Sequence, residues 1–128
     1  MSQTRNTKQK TALKKAFEEA NRPLSPEEVL ELASMEVEGL GLATVYRNIK
    51  LLVEDGSLVP VELVNEPPRY EIAGKDHHHH FRCTGCDKVF ELEGCYHEVN
   101  KMVPKGFKIE VHHILFYGTC RGCNRVPQ

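Results

Sequence analysis

The sequence predicts an α+β protein in two parts, on three observations. Three runs before residue 56 carry apolar side chains at helical spacing, and residues 58–63 and 69–72 then read as strands. From Ala73 onward the composition turns rich in cysteine and histidine. The expected architecture is a winged helix-turn-helix over residues 1–72, a hinge at 73–77, and a small α/β domain over 78–128 stapled by a four-cysteine zinc site.

Each element has a local reason. Residues 8–20 place Ala12, Leu13, Ala16, Phe17 and Ala20 on one stripe, and Asn21-Arg22-Pro23 ends the run. Ser25 offers an N-cap, Pro26 fits the first helical position, and Glu27 and Glu28 suit the positive helix end. Residues 42–55 bury Val45, Ile49, Leu52 and Val53 and stop at Gly56. The opposite face carries Ala43, Thr44, Tyr46, Arg47 and Lys50, side chains able to meet base edges and phosphates in a major groove. In the second half, residues 89–92, 107–111 and 114–117 read as strands, and a helix is expected near 96–103.

Composition removes several classes. Hydrophobic residues at 40% and charged residues at 27% argue against wholesale disorder. No apolar run approaches the roughly 20 residues that span a bilayer. The first thirty residues lack the apolar core of a signal peptide, so a cytoplasmic location and no membrane partner are expected. The net charge of −1 gives no global basic field, yet Arg5, Lys8, Lys10, Lys14 and Lys15 precede every acid in the chain. No nucleophile–base–acid set, phosphate-cradling loop or helical H-E-x-x-H is present, so neither an enzyme nor a small-molecule substrate is expected.

Five cysteines and seven histidines in 128 residues ask for a chemical reason, and in a reducing compartment that reason is metal more often than disulfide. Cys83-x-x-Cys86 and Cys120-x-x-Cys123 each have ligand spacing, and together they complete a tetrahedral zinc site. The long stretch between the pairs means such a site ties the start of this half to its end. His77-His78-His79-His80, if extended, points His77 and His79 one way and His78 and His80 the other, so one strand can feed two sites. Imidazole with carboxylate suits several divalent metals. Cys95 is the odd cysteine; a small buried hydrophobe, a ligand and a redox thiol are all open readings of it.

Gly41-Leu-Ala-Thr-Val-Tyr-Arg47, the histidine run just before Cys83-x-x-Cys86, and Tyr117-Gly-x-Cys-x-x-Cys123 together resemble the ferric uptake regulator family. The resemblance runs from about residue 7 to residue 123 and implies a homodimeric, metal-responsive repressor with a C-terminal dimerisation domain. It implies that Cys83, Cys86, Cys120 and Cys123 hold structural Zn(II), and that His77, His79, Glu98 and His112 form a regulatory site for Zn(II) or Fe(II), with Mn(II) a third candidate. Glu71, His78 and His80, with Glu91, match a second, hinge site. Ala43, Tyr46 and Arg47 match DNA-contacting positions beside Thr44 on the same helix, and Arg5 matches a basic side chain sent toward the minor groove. Two departures stand out. Pro23 occupies a position where many members carry a histidine, and the first helix starts with Thr7-Lys-Gln-Lys10 where Thr-Pro-Gln-Arg is usual. The expected partners are double-stranded operator DNA and a second copy of the chain. The rival readings are a zinc-stabilised module for protein or RNA and a zinc-dependent hydrolase.

Overall fold

The Ser25 hydroxyl accepts the Glu28 N–H at 3.1 Å while the Glu28 carboxylate accepts the Ser25 N–H at 3.0 Å. This reciprocal cap, with Pro26 behind it, starts α2 (Pro26–Ala33) where the sequence expects a helix. The structure, a computed structural model, describes residues 2–95 and 97–124, and the side chains among them except those of residues 2–4 and 97. α1 spans Ser2–Ala20, reaching further back than the apolar stripe alone predicts, and α3 spans Leu42–Glu54. Gly56 ends α3 at φ 85°, with its N–H on Val53 O and the Ser57 N–H on Leu52 O at 2.8 Å. Only glycine takes that left-handed turn without strain.

Leu13, Phe17, Leu24, Val29, Val45 and Leu52 are fully buried between the three helices. Each such side chain contributes about 1.5–3 kcal/mol by leaving water. β1 (Leu58–Leu63) and β2 (Glu66–Ile72) follow as an antiparallel ribbon, Leu58 facing Ile72 and Val61 facing Arg69. β2 starts earlier than expected: the turn is Val64-Asn65 alone, with Asn65 at φ 58°, and Pro67 and Pro68 lie inside the strand. A two-stranded ribbon is all edge, where a missing N–H costs little, and its register shifts between Val61 and Leu63, opposite the prolines. Leu24 pairs with Tyr70 on the other side of β2.

Residues 1–74 form one compact unit and residues 75–128 a second. In the second, β3 (His78–Cys83) is central, with β4 (Val89–Glu93) antiparallel to it and β5 (Leu115–Gly118) parallel to it. Residues 97–102, within the expected helix, form a six-residue 3₁₀ turn; Tyr96 lies outside the described residues. A run this short, closed by Pro104, does not repay nucleation of an α-helix. The strand expected at 107–111 is not formed. Its alternation is present, but among the described residues no strand pairs with it, and Phe107 and Val111 stand 68% and 74% exposed. Among the described residues of this unit, Cys83 and Val89 are the hydrophobic side chains that are buried, joined by His79. So small a core does not hold a unit of this size by apolar burial alone. No described helix is long and apolar enough to cross a membrane.

Candidate metal centres and the exposed face of α3

The parallel pairing of β3 with β5 sets Cys83 beside Gly118, and so delivers the Cys83–Cys86 turn to the Cys120–Cys123 turn. The four Sγ atoms lie within 4.8 Å of one another, with Cys86 and Cys120 at 3.9 Å. Zinc–sulfur bonds of about 2.3 Å put the sulfurs of a tetrahedron about 3.8 Å apart, far beyond a disulfide's roughly 2.05 Å. None of the five cysteines is in a disulfide. Backbone N–H groups of Gly85, Cys86 and Cys120 reach the Cys83 sulfur at 3.3–3.4 Å. Those donors, the Cys86 and Cys120 amides first, pull the Cys83 thiol down to about 6. Its thiolate shares hydrogen bonds with Cys123, which is pushed up to about 12 by Cys83 and then Cys120. Four thiolates coexist here only around a cation, so the donor set fits Zn(II).

Gly85 is needed at this turn for a second reason. A Cβ there would lie 2.7 Å from Cys123 Cβ and 2.8 Å from its Sγ. Gly85→Ala is therefore expected to push the two cysteine turns apart, at about 1–3 kcal/mol of overpacking. Zinc release to a competing chelator, followed by absorbance, should be faster than in the parent chain.

The histidine run divides as alternation predicts. His77 and His79 form one ring pair at 4.6 Å, and His78 and His80 another at 4.8 Å. On the first side, His77 Nε2 lies 3.1 Å from His112 Nε2. Cys95 joins them, its Sγ 3.0 Å from His112 Nε2 and 3.4 Å from His79 Nε2. The donors gathered within 4.8 Å on this side are thus His77, His79, His112 and Cys95. Burial, then the neighbouring His77 and His112, push the His79 pKa down, which favours the neutral ring whose lone pair a metal needs.

The family resemblance places Glu98 fourth in this set, and the geometry differs. The chain turns at Gly94, φ 80°, which brings Cys95 to the histidines; Glu98 rides on the 3₁₀ turn, its side chain 64% exposed and 3.6 Å from Lys101 Nζ. Residue pattern leaves Cys95 no more than an open role, because a lone cysteine has no spacing partner. Its nearness to His112 is a product of the fold.

On the other side, His78 donates its Nδ1–H to the Asp76 carbonyl at 2.7 Å, and its Nε2 lies 3.6 Å from Glu91 Oε1. Lys75 also reaches that oxygen, at 2.8 Å. Glu71 stands on β2 of the N-terminal unit and is buried.

In the N-terminal unit, α3 turns Val45, Ile49 and Leu52 inward and leaves Ala43, Tyr46, Arg47 and Lys50 exposed, with Thr44 half-buried. Tyr46 is 50% exposed, and Arg47 Nη2 donates to Thr44 Oγ1 at 3.2 Å. Arg5 is exposed on α1; a Cβ at Gly39 would come within 3.4 Å of its Nη2.

Comparison with known proteins defines the class first: metal-binding regulators of transcription. The model of the ferric uptake regulator family matches residues 1–117. The ferric uptake regulation protein of Campylobacter jejuni is 33% identical over 123 residues, covering 92% of this chain and 78% of that protein. Its counterpart in Bacillus subtilis is 35% identical over 107 residues, covering 79% and 72%. The Helicobacter pylori regulator, whose structure is described as revealing three functional metal binding sites, superposes with a TM-score of 0.71 at 26% identity, covering 94% of this chain and 83% of that one. The chain belongs to the ferric uptake regulator family.

Proposed function

We propose that this chain is a repressor that binds operator DNA as a homodimer when its regulatory site holds a divalent metal. The observation that carries the reading is the division of donors within one small unit into an all-thiolate set and an imidazole-rich set. Thiolates around zinc form a closed, slowly exchanging site that contributes folding energy. Imidazoles suit an ion that comes and goes with supply, Zn(II) or Fe(II) foremost and Mn(II) third. Cys83, Cys86, Cys120 and Cys123 hold the structural zinc; His77, His79 and His112 hold the regulatory ion with a fourth donor, for which the family resemblance offers Glu98. His78, His80 and Glu91 form a second candidate set, to which the resemblance adds Glu71.

The N-terminal unit acts as a winged helix, with α3 as the helix that reads the major groove through Ala43, Thr44, Tyr46 and Arg47. Arg5 adds a minor-groove contact. A two-fold dimer then spans two half-sites about 34 Å apart. The exposed Phe107 and Val111, on a segment with no strand partner among the described residues, support self-association through the C-terminal unit. The ion acts through its preference for the arrangement that fits DNA. This reading includes no catalytic role, and a cytoplasmic location follows from the DNA target.

The test is Arg47→Ala. Arg47 is exposed, so the variant should keep the stability of the parent. Its affinity for a duplex selected from random sequence in the presence of metal should fall by about 1–3 kcal/mol, roughly 5- to 150-fold. Unchanged binding by fluorescence anisotropy at fixed salt would remove α3 from the interface.

A further inference from the structure

We infer that Cys95 is the fourth ligand of the imidazole site, in place of Glu98, and that its thiolate makes the site selective for zinc-like ions over Mn(II). The inference rests on the proposal that His77, His79 and His112 bind the regulatory ion, and it names the donor and the metal class.

Distance argues for it first. Cys95 Sγ lies 3.0 Å from His112 Nε2 and 3.4 Å from His79 Nε2, and His77 Nε2 closes the group at 3.1 Å from His112 Nε2. Around a tetrahedral zinc, bonds of about 2.0–2.1 Å to nitrogen and about 2.3 Å to sulfur set N···N at about 3.3 Å and N···S at about 3.6 Å. These three separations fall short of that frame by about 0.2–0.6 Å, and all four donor atoms lie within 4.8 Å of one another, so a small rearrangement admits the ion.

Chemistry argues second. Three imidazole nitrogens and a sulfur this close crowd lone pairs that a divalent cation satisfies together, with loss of the thiol proton to solvent. The half-buried Cys95 is reached from an open cleft that His77, Asn100 and Val111 also line, so an ion has a path in. Glu98 faces Lys101 instead, at 3.6 Å.

Metal preference follows from the donor. A thiolate favours Zn(II) and softer ions, whereas Mn(II) prefers oxygen ligands. Swapping a carboxylate for a thiolate in an otherwise three-histidine site therefore moves its selectivity away from Mn(II).

The experiment uses the full chain with its thiolate-bound zinc in place and the labile ion removed. Co(II) is titrated in and read by absorbance. The parent should show a sulfur-to-cobalt charge-transfer band that saturates at one equivalent together with the visible bands of four-coordinate cobalt. Cys95→Ser should lose that charge-transfer band, and its zinc affinity in chelator competition should fall by more than the roughly 10- to 100-fold that an outer-shell loss costs. Mn(II) affinity should change little, and Glu98→Gln should match the parent throughout. A band that survives in Cys95→Ser would come from the four-cysteine site and would overturn the inference. So would zinc affinity that falls in Glu98→Gln and not in Cys95→Ser, which would restore the carboxylate and leave the proposed function intact. Cobalt binding indifferent to His112→Ala would overturn both.

Discussion

Cys120→Ser is expected to cost the C-terminal unit its zinc and, with it, its fold. Structural zinc contributes apparent binding free energies of about 10–16 kcal/mol in small zinc domains, and there that energy is folding energy. Little else is available to this unit: among its described residues the buried hydrophobic side chains are Cys83 and Val89. Cys120 also anchors the site through its backbone, whose N–H reaches the Cys83 sulfur at 3.3 Å. The parent should carry one zinc that resists mild chelation, and amide protons of β3 should exchange slowly. In Cys120→Ser that zinc should be absent by native mass spectrometry and β3 should exchange without protection. The helices of the N-terminal unit, with their own core of Leu13, Phe17, Val29, Val45 and Leu52, should persist. A serine variant that keeps its zinc and its β3 protection would show that the thiolate set is not the staple.

The second large effect is expected from His112→Ala, and it differs in kind. His112 Nε2 lies near both His77 and Cys95, so its loss takes the centre out of the imidazole site. The four-cysteine set is untouched, so the variant should fold, hold one zinc and self-associate. What it should lose is response. A metal that couples to DNA binding by about 1–3 kcal/mol changes operator affinity about 5- to 150-fold, and that ratio should collapse toward one. Linkage adds a reciprocal check: operator DNA should tighten metal binding in the parent by the same factor and leave it unchanged in the variant. Full metal response in His112→Ala would remove this site from the mechanism.

These two outcomes track what the residue pattern carries and what only the fold supplies. The paired cysteines are legible because two residues of spacing already aim two sulfurs at one point, and β3 beside β5 merely joins the pairs. The histidine alternation is legible because a strand has period two, and ring pairs His77–His79 and His78–His80 follow. Capping and glycine stops mark α2 and α3 because those interactions are local. Cys95 is a different case. It approaches His79 and His112 through a turn at Gly94 and a long excursion to residue 112, and no local rule encodes such a meeting. Residues 107–111 fail for the converse reason: the alternation is present, but a strand exists only beside a neighbour, and none pairs with it among the described residues. The prolines of β2 read as a loop because proline usually excludes strands, a rule that weakens at an edge.

On the proposed reading, an exchangeable ion on the imidazole site controls DNA binding while the thiolate-bound zinc stays in place. The most direct measurement is a set of anisotropy isotherms on a duplex selected from random sequence, at one ionic strength because affinity falls steeply with salt. The full chain is compared with its labile ion present, removed by mild chelation, and restored, with metal per chain counted in each state. The expected result is tight binding, then a loss of about 5- to 150-fold with one zinc still bound, then recovery. Equal affinity in all three states, with the labile ion shown to leave and return, would contradict it.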